Sequence, residues 1–366
     1  MTSWRMNVAR WLCAILLSSL PAVSSAQTVQ QQLTDEVKRL RKEASAQPEG
    51  ELWKDLKPSV ETGLDRIEKD VAASRVLVAV RGLANIRFHL LAVAYVNQRA
   101  EVARGDLSGF EREWRRVDGE MRPVERLFRE ATWGKTPAVV RALAESTLAT
   151  TRPLYEASRE YAAATAVPYG LFYLGQARGA LDFAQFSRKL RFAESYGHFP
   201  ARSFAVEIDR LEQQVEKAYR PPLSIDRHRD FIGLNAWIKR AVELDQGKLY
   251  YGALYAYLEA TRSLGELLVA SPRAADLARL KESAIAFEKR LGEPRRDHSI
   301  ARLFIELAGR ETERAQASEE ASGRSARAIV EQVLPAYFAA LERTAGGPAT
   351  AAKAELTVTL VRWPYT

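Results

Sequence analysis

Histidine is the side chain best suited to moving protons or holding a metal near neutral pH, and this chain has four, His89, His198, His228 and His298. None stands three or four residues from another, and no His-Glu-x-x-His run occurs, so a helix-borne zinc site is not written here. Glu194 precedes His198 by four residues, on one helix face, but two ligands fall short of a zinc set and the segment runs into Gly-His-Phe-Pro, where a helix ends. The run Asp-Arg-His-Arg-Asp-Phe (Asp226 to Phe231) has the letters of a kinase catalytic loop without a glycine-rich loop or an Asp-Phe-Gly. Glu61, Asp65 and Glu68 are spaced as a carboxylate pair for acid–base work would be. Arg66 and Lys69 are interleaved with them, however, which describes a solvated face. With no Gly-x-Ser-x-Gly elbow and no Walker loop, the sequence leads us to expect no catalytic residue, no metal and no cofactor.

Arg81, Arg87 and His89 interrupt an otherwise apolar stretch, Arg75 to Ala103. A charge on such a helix must surface or find carboxylates, because an unpaired buried charge is costly. They form a candidate polar cluster in a buried helix, and His89 is expected to lie buried with a backbone partner.

Tyrosines give a second candidate. Tyr-Gly-Leu-Phe-Tyr at 169–173 is echoed by Tyr-Gly-Ala-Leu-Tyr at 251–255, an offset of 82, whereas matching Arg178 with Arg262 needs an offset of 84. Two residues turn a helix by about 200°, so the two registers put different faces inward. The echo is either a duplicated ligand site or one packing unit used twice. On the second helix Tyr251, Tyr255, Leu258 and Arg262 share a stripe, and Tyr250, Leu254, Tyr257 and Thr261 share another. The candidate ligand-binding set is Tyr169, Tyr173, Arg178, Tyr251, Tyr255 and Arg262: aromatic faces for an apolar or peptide ligand, arginines for a carboxylate or phosphate. The competing reading is that the rings fill core.

The elements that must carry these residues are helical from Gln27 to about Arg343. A Thr34 cap is expected ahead of Asp35 and Glu36, and an amphipathic stretch from Ser59 to Ser74 precedes the buried helix. Further helices are expected over Leu107–Arg129, Pro137–Thr165, Tyr169–Phe192, Arg202–Tyr219, Arg229–Asp245, Lys248–Val269, Arg273–Leu291, Ser299–Arg310 and Ser325–Arg343, the last interrupted by Pro335. Gly and Pro in the short connections end each helix and favour antiparallel neighbours. Glu311 to Ser325 is polar all round and is expected as an exposed helix or a mobile loop. Strand-like alternation occurs only at Leu356, Val358 and Leu360, in a short C-terminal extended tail behind a Gly- and Ala-rich linker.

Tyr95, Tyr173, Tyr257 and Tyr337 recur at spacings of 78, 84 and 80, each followed closely by an arginine (Arg99, Arg178, Arg262, Arg343), which reads as four degenerate helical modules. Two passages resemble the helix-turn-helix of tetratricopeptide repeats. One contains Leu174-Gly175-Gln176-Ala177 followed by the Ala180 to Lys189 stretch, and the other runs from Leu244 through Gly247 to Leu264. The resemblance spans roughly forty residues and departs from the family: the first passage is too short and no 34-residue period continues. It implies an array of α-hairpins and carries over no family residue.

The start of the chain reads as a secretory signal: Arg5 and Arg10, an apolar stretch from Trp11 to Leu20, then Ser24 and Ala26 at the cleavage positions. The only cysteine, Cys13, lies inside it and follows Arg10-Trp11-Leu12, which lack the small residues of a lipoprotein signal. A mature chain from Gln27 would then have no thiol and must be held by its core, for which 47% hydrophobic residues suffice. The net charge of +8 comes from interspersed acids and bases, with basic runs no longer than Lys38 to Lys42 and Glu293 to Asp297, so a nucleic-acid partner is not expected. No run of apolar residues beyond the signal is long enough, free of charge, to span a bilayer.

The expectation is thus an all-α array or bundle of about ten antiparallel helices over 27–345, read as degenerate tetratricopeptide-like or α-solenoid repeats, with sub-boundaries near 134 and 222 and a tail at 346–366. Its expected role is that of an exported, periplasmic or secreted, non-catalytic scaffold binding a protein, peptide or small envelope ligand. The alternatives are a helical-bundle enzyme using carboxylate and histidine chemistry, which requires Arg81, Arg87, His89 and an acid to converge in one cavity, and a purely structural envelope protein.

Overall fold

The structure, a computed structural model, describes residues 28–343 except 131–132, 134–135, 165, 193–196, 221–224, 293–295 and 318. The signal segment, Glu194 and the C-terminal tail lie outside the described residues. Among those residues every regular element is helical: α1 (Val29–Ser45), α2 (Glu51–Ala72), α3 (Val76–Asn97), α4 (Ala100–Ala103), α5 (Leu107–Glu130), α6 (Ala138–Ala164) and α7 (Val167–Ser187) come first. Then follow α8 (Ala205–Ala218), α9 (His228–Gln246), α10 (Tyr250–Leu268), α11 (Ala274–Arg290), α12 (Ser299–Gln316), α13 (Glu320–Ala328) and α14 (Leu334–Glu342). The chain is an all-α array.

Local chemistry sets most boundaries. In α1 the buried residues Leu33, Val37, Leu40 and Ala44 repeat at helical spacing, and the hydroxyl of Thr28 accepts the Gln31 N–H at 3.2 Å. The cap is therefore Thr28 and not Thr34, which sits inside the helix and bonds back to the Gln30 carbonyl at 2.9 Å. Periodicity begins at Val29, upstream of the acidic pair that suggested the later start.

Two hairpins, α2–α3 and α9–α10, are built on the same turn. In the first, the Ser74 N–H bonds the Val71 carbonyl and the Arg75 N–H bonds the Asp70 carbonyl, with Ser74 at φ 60°. In the second, Lys248 bonds Asp245 and Leu249 bonds Leu244, with Lys248 at φ 61°. Both are Schellman turns whose left-handed position, usually glycine, carries a side chain. Neither α3 nor α10 has a capping side chain of its own, and each is capped from another helix. The carboxylate of Glu306 on α12 accepts from Leu77 and Val78 at 3.0 and 3.1 Å, and that of Glu145 on α6 accepts from Gly252 at 2.8 Å. In the same way Asp297 and the Ser299 hydroxyl accept from Ala138 and Val139 at the start of α6, at 2.6 and 3.0 Å. These bonds answer the unpaired donors of a helix start and lock helices that are distant in sequence.

The α3 helix is buried along most of its faces, as its composition required. It is long and apolar enough by composition to cross a membrane, yet 56% of its apolar window is covered by other helices of the array. Its closest neighbour is α7, where a β-carbon on Gly175 would stand 2.8 Å from the Ala92 Cα and one on Gly179 would stand 3.0 Å from the Arg87 carbonyl. The segment around Gly175 is accordingly one unbroken helix and not a helix-turn-helix, because that glycine serves backbone approach. The other passage with tetratricopeptide character does form a helix-turn-helix, the α9–α10 hairpin. The four tyrosines of the 80-residue spacing do not share an environment: Tyr337 is wholly buried, while Tyr173 stacks at the surface on Tyr161.

Two expectations near the C-terminus are corrected. Glu311 to Ser325 is helical for most of its length and exposed in its middle, at Glu313 and from Glu319 to Ala321, but Glu311, Thr312, Ser322 and Ser325 at its two ends are buried. Ion pairs of Glu311 with Arg310 and Arg314 make that burial tolerable. Pro335 does not break its helix. A π turn at Ile329–Val333 joins α13 to α14 and absorbs the bond that proline cannot donate.

Candidate functional site

A cleft of about 520 Å³ opens between the two hairpins, walled by α2 and α3 on one side and α9 and α10 on the other, with α6 and α12 completing it. At the meeting point of the hairpins, Tyr255 on α10 accepts a hydrogen bond from Arg81 Nε at 2.9 Å and donates to Glu259 at 2.9 Å. Arg81 Nη2 lies 3.0 Å from the same carboxylate, which also pairs with Arg262 at 2.9 Å. Burial would raise the Glu259 carboxyl, but the Arg81 and Arg262 guanidinium groups and the Tyr255 hydroxyl hold it down at about 2. Burial pushes the Tyr255 phenol well up, so it stays protonated and donates. With Glu266, which pairs with Arg262 at 2.5 Å, the cluster is neutral as a unit.

The rest of the cleft is not neutral. Arg66 on α2, exposed at the rim, and Arg240 on α9 line it. Neither makes a direct ion pair among the described residues, although Glu319 acts on Arg66 and Glu243 and Glu259 act on Arg240 at longer range. Arg240 lies over the Trp237 ring, 4.6 Å from its centroid, and burial lowers its pKa. Arg310 also lines the cleft but is spent on Asp70 at 3.2 Å and Glu311 at 2.7 Å. Asp70, the one acid in the lining, is shared with Arg75 at 2.9 Å. Ser146 on α6 adds a hydroxyl without a partner among the described residues, and Phe88, Trp237 and Leu143 supply apolar faces. Such an arrangement attracts anions and has nothing placed to move a proton.

The sequence candidates separate in space. Tyr255 and Arg81 line the cleft. Tyr251 packs on Phe199, with the Arg141 guanidinium 4.1 Å from its ring centroid, and Arg262 is held by Glu259, Glu266 and Ser325. Tyr169 is 46% exposed, Tyr173 stacks on Tyr161 with centroids 4.4 Å apart, and Arg178 pairs with Glu120 on α5 at 2.8 Å. The six therefore do not form one aromatic groove. The echo is a packing unit: Gly170 and Gly252 both sit against α6, at Ala162 and at Glu145.

Nor do Arg81, Arg87 and His89 converge. Arg87 is buried on another face of α3, paired with Asp182 and, at 2.6 Å, with Glu36, its guanidinium 4.0 Å from the Phe186 centroid. His89 lies edge-on to Phe88, its buried Nδ1 has no hydrogen-bond partner rather than the expected backbone one, and burial lowers its pKa. His228 and His298 bond the hydroxyls of Tyr219 and Tyr337 at 2.9 and 3.0 Å. Asp65 and Glu68 both pair with Arg41 of α1 on the surface.

A second cavity of about 500 Å³ lies across α10, lined by Tyr257 and Thr261 of its other stripe, by Gln214 and Arg210 of α8 and by Gln332 of the π turn. Its buried Glu207 is shared by Arg202 at 2.6 Å and Arg343 at 3.6 Å while Arg210 makes no direct ion pair among the described residues, so it too is cationic, but it has no tryptophan or phenylalanine in its lining. Arg66 and Arg240 escaped the sequence reading because each looks like a surface arginine. The spacing of Trp237 and Arg240, three residues apart, was the one local signal of a stacked cation. No protein-family model, curated protein or solved structure matches this chain.

Proposed function

We propose that this protein is an exported, non-catalytic helical binding protein whose cleft between the α2–α3 and α9–α10 hairpins takes an anionic ligand. The observation that carries the reading is the pair Arg66 and Arg240, two cations lining one cleft that make no direct ion pair among the described residues, the acids nearest in effect being paired with other cations. Arg240 is partly buried against Trp237, and a cation without a direct ion pair in such a place is stabilised when an anion arrives. The export signal read in residues 1–26 would deliver the protein to the periplasm or the medium. We prefer this reading to the enzyme alternative because Arg87 and His89 do not line the cleft with Arg81.

Thermal denaturation in sulfate and in citrate, against chloride at equal ionic strength, tests this reading. Oxyanions should raise the midpoint of the wild type and leave the Arg66→Gln/Arg240→Gln double variant where chloride leaves it. An equal rise in both proteins would mean general salt effects and would end the proposal.

A further inference from the structure

The cleft's charge and walls narrow the ligand class, an inference that rests on the anion-binding reading above. Two of its guanidinium groups make no direct ion pair, since the acids that act on Arg66 and Arg240 at longer range are paired with Arg314, Lys239 and the Arg81–Arg262 couple. Arg310 is spent on Asp70 and Glu311, and Arg81 and Arg262 are balanced by Glu259 and Glu266. A single carboxylate would leave one of these cations unanswered. A phosphomonoester carries close to two charges near pH 7 and three acceptor oxygens, enough for two arginine forks and a hydroxyl. Arg81 spends Nε on Tyr255 and Nη2 on Glu259, leaving Nη1 without a partner among the described residues, and Ser146 offers a free hydroxyl. A cavity of about 520 Å³ is also far larger than an inorganic ion needs and falls in the range of small-molecule sites. The surplus is apolar: Trp237, already covered on one face by Arg240, with Phe88 and Leu143.

We propose that the cleft binds a phosphomonoester, its phosphoryl group held by Arg66, Arg240 and Ser146 and its organic body lying against Trp237 and Phe88. The same group occurs on soluble metabolites and on the headgroup of phosphatidate, and the site lies within a cleft walled by six helices, which fits the soluble form.

Calorimetric titration with phenyl phosphate, inorganic phosphate and benzoate separates the elements of the claim. Phenyl phosphate should bind at least tenfold more tightly than either of the others, and Arg240→Gln or Arg66→Gln should each weaken it tenfold or more. Its affinity should rise several-fold from pH 5 to pH 7.5 as the phosphoryl group takes its second charge near pH 6, while that of benzoate stays flat. Each variant should unfold within a few degrees of the wild type without ligand, since neither arginine has a direct ion pair to lose, so lost binding is not lost folding.

Benzoate binding as tightly as phenyl phosphate, in an Arg240-dependent way, overturns the phosphomonoester and leaves the anion cleft standing. Binding of none of the three, together with no effect of sulfate on stability, removes both. Vesicles containing phosphatidate should not retain the protein. Retention that phenyl phosphate displaces and Arg240→Gln abolishes would keep the phosphoryl site and move its source to a lipid, and retention indifferent to both would count against the cleft.

Discussion

Tyr255 shows how much one phenol can fasten in a helical array. Its oxygen accepts from Arg81 on one hairpin and its proton goes to Glu259 on the other strand of contacts, so loss of the hydroxyl leaves a buried guanidinium nitrogen and a buried carboxylate oxygen each short of a partner. Tyr255→Phe should therefore cost about 1–2 kcal/mol. Glu259→Gln, which strands Arg81 and Arg262 together, should cost about 3 kcal/mol or more. Urea denaturation measures both, and a neutral Tyr255→Phe would mean that the bridge does not stabilise the hairpin junction. Arg87 belongs to the same kind of chemistry elsewhere: it found Glu36 and Asp182, as a buried charge must, and became a strut between α1, α3 and α7. The paired state of both arginines followed from their placement in an apolar run, whereas the identity of the partners did not, because those come from residues 51 to 178 positions away.

At the scale of elements, glycine is absent from the left-handed position of two turns, where it would be easiest, and present inside helices, where it would be least expected. Lys248 holds a left-handed conformation at φ 61° that costs a side-chain-bearing residue about 1 kcal/mol. Lys248→Gly should stabilise the protein by about that amount, whereas Lys248→Ala should leave it near the wild type. Both follow from the urea midpoint, and a destabilising glycine would show that the lysine stem makes contacts outweighing the strain. Gly175→Ala should act in the opposite sense, losing about 1–3 kcal/mol, because the new methyl meets the backbone of α3, which cannot step aside. Helix positions were legible because apolar spacing and short Gly- and Pro-bearing connections are local signals. Caps such as Glu306 on α3 and Glu145 on α10 were not, since each is supplied by a helix remote in sequence. Glu311 to Ser325 misled for the same reason: a polar segment reads as exposed until its ion-pair partners are in place.

For the whole molecule, two buried carboxyls pull stability in opposite directions with pH. Burial raises Glu306 to about 7, an effect only partly offset by the Val78 and Leu77 N–H groups, against an ordinary value of 4.5. The folded protein thus holds this proton more tightly than the unfolded chain, so the contribution is full below about pH 4.5 and is lost as pH rises to about 7. Glu259, held at about 2, contributes above about 4.5 and loses its contribution as pH falls toward 2. Replacing Glu306 by Gln should accordingly remove a decline in stability of about 1–3 kcal/mol between pH 4.5 and 7. Denaturation midpoints at pH 4.5, 5.5 and 7 for the two proteins check it, and a constant gap across that range would contradict the buried carboxyl.

The cleft itself is a property of the assembled array. Arg66 and Arg240 come from helices 174 residues apart in sequence, and only folding shows that the acids near them form their direct ion pairs with other cations. A crystal soaked in tungstate, a tetrahedral dianion with a strong anomalous signal, tests the central claim most directly. The account predicts a peak within hydrogen-bonding reach of the Arg66 and Arg240 guanidinium groups, lost in crystals of Arg240→Gln. Tungstate bound elsewhere on the surface with the cleft empty, or a cleft peak untouched by that substitution, would contradict it.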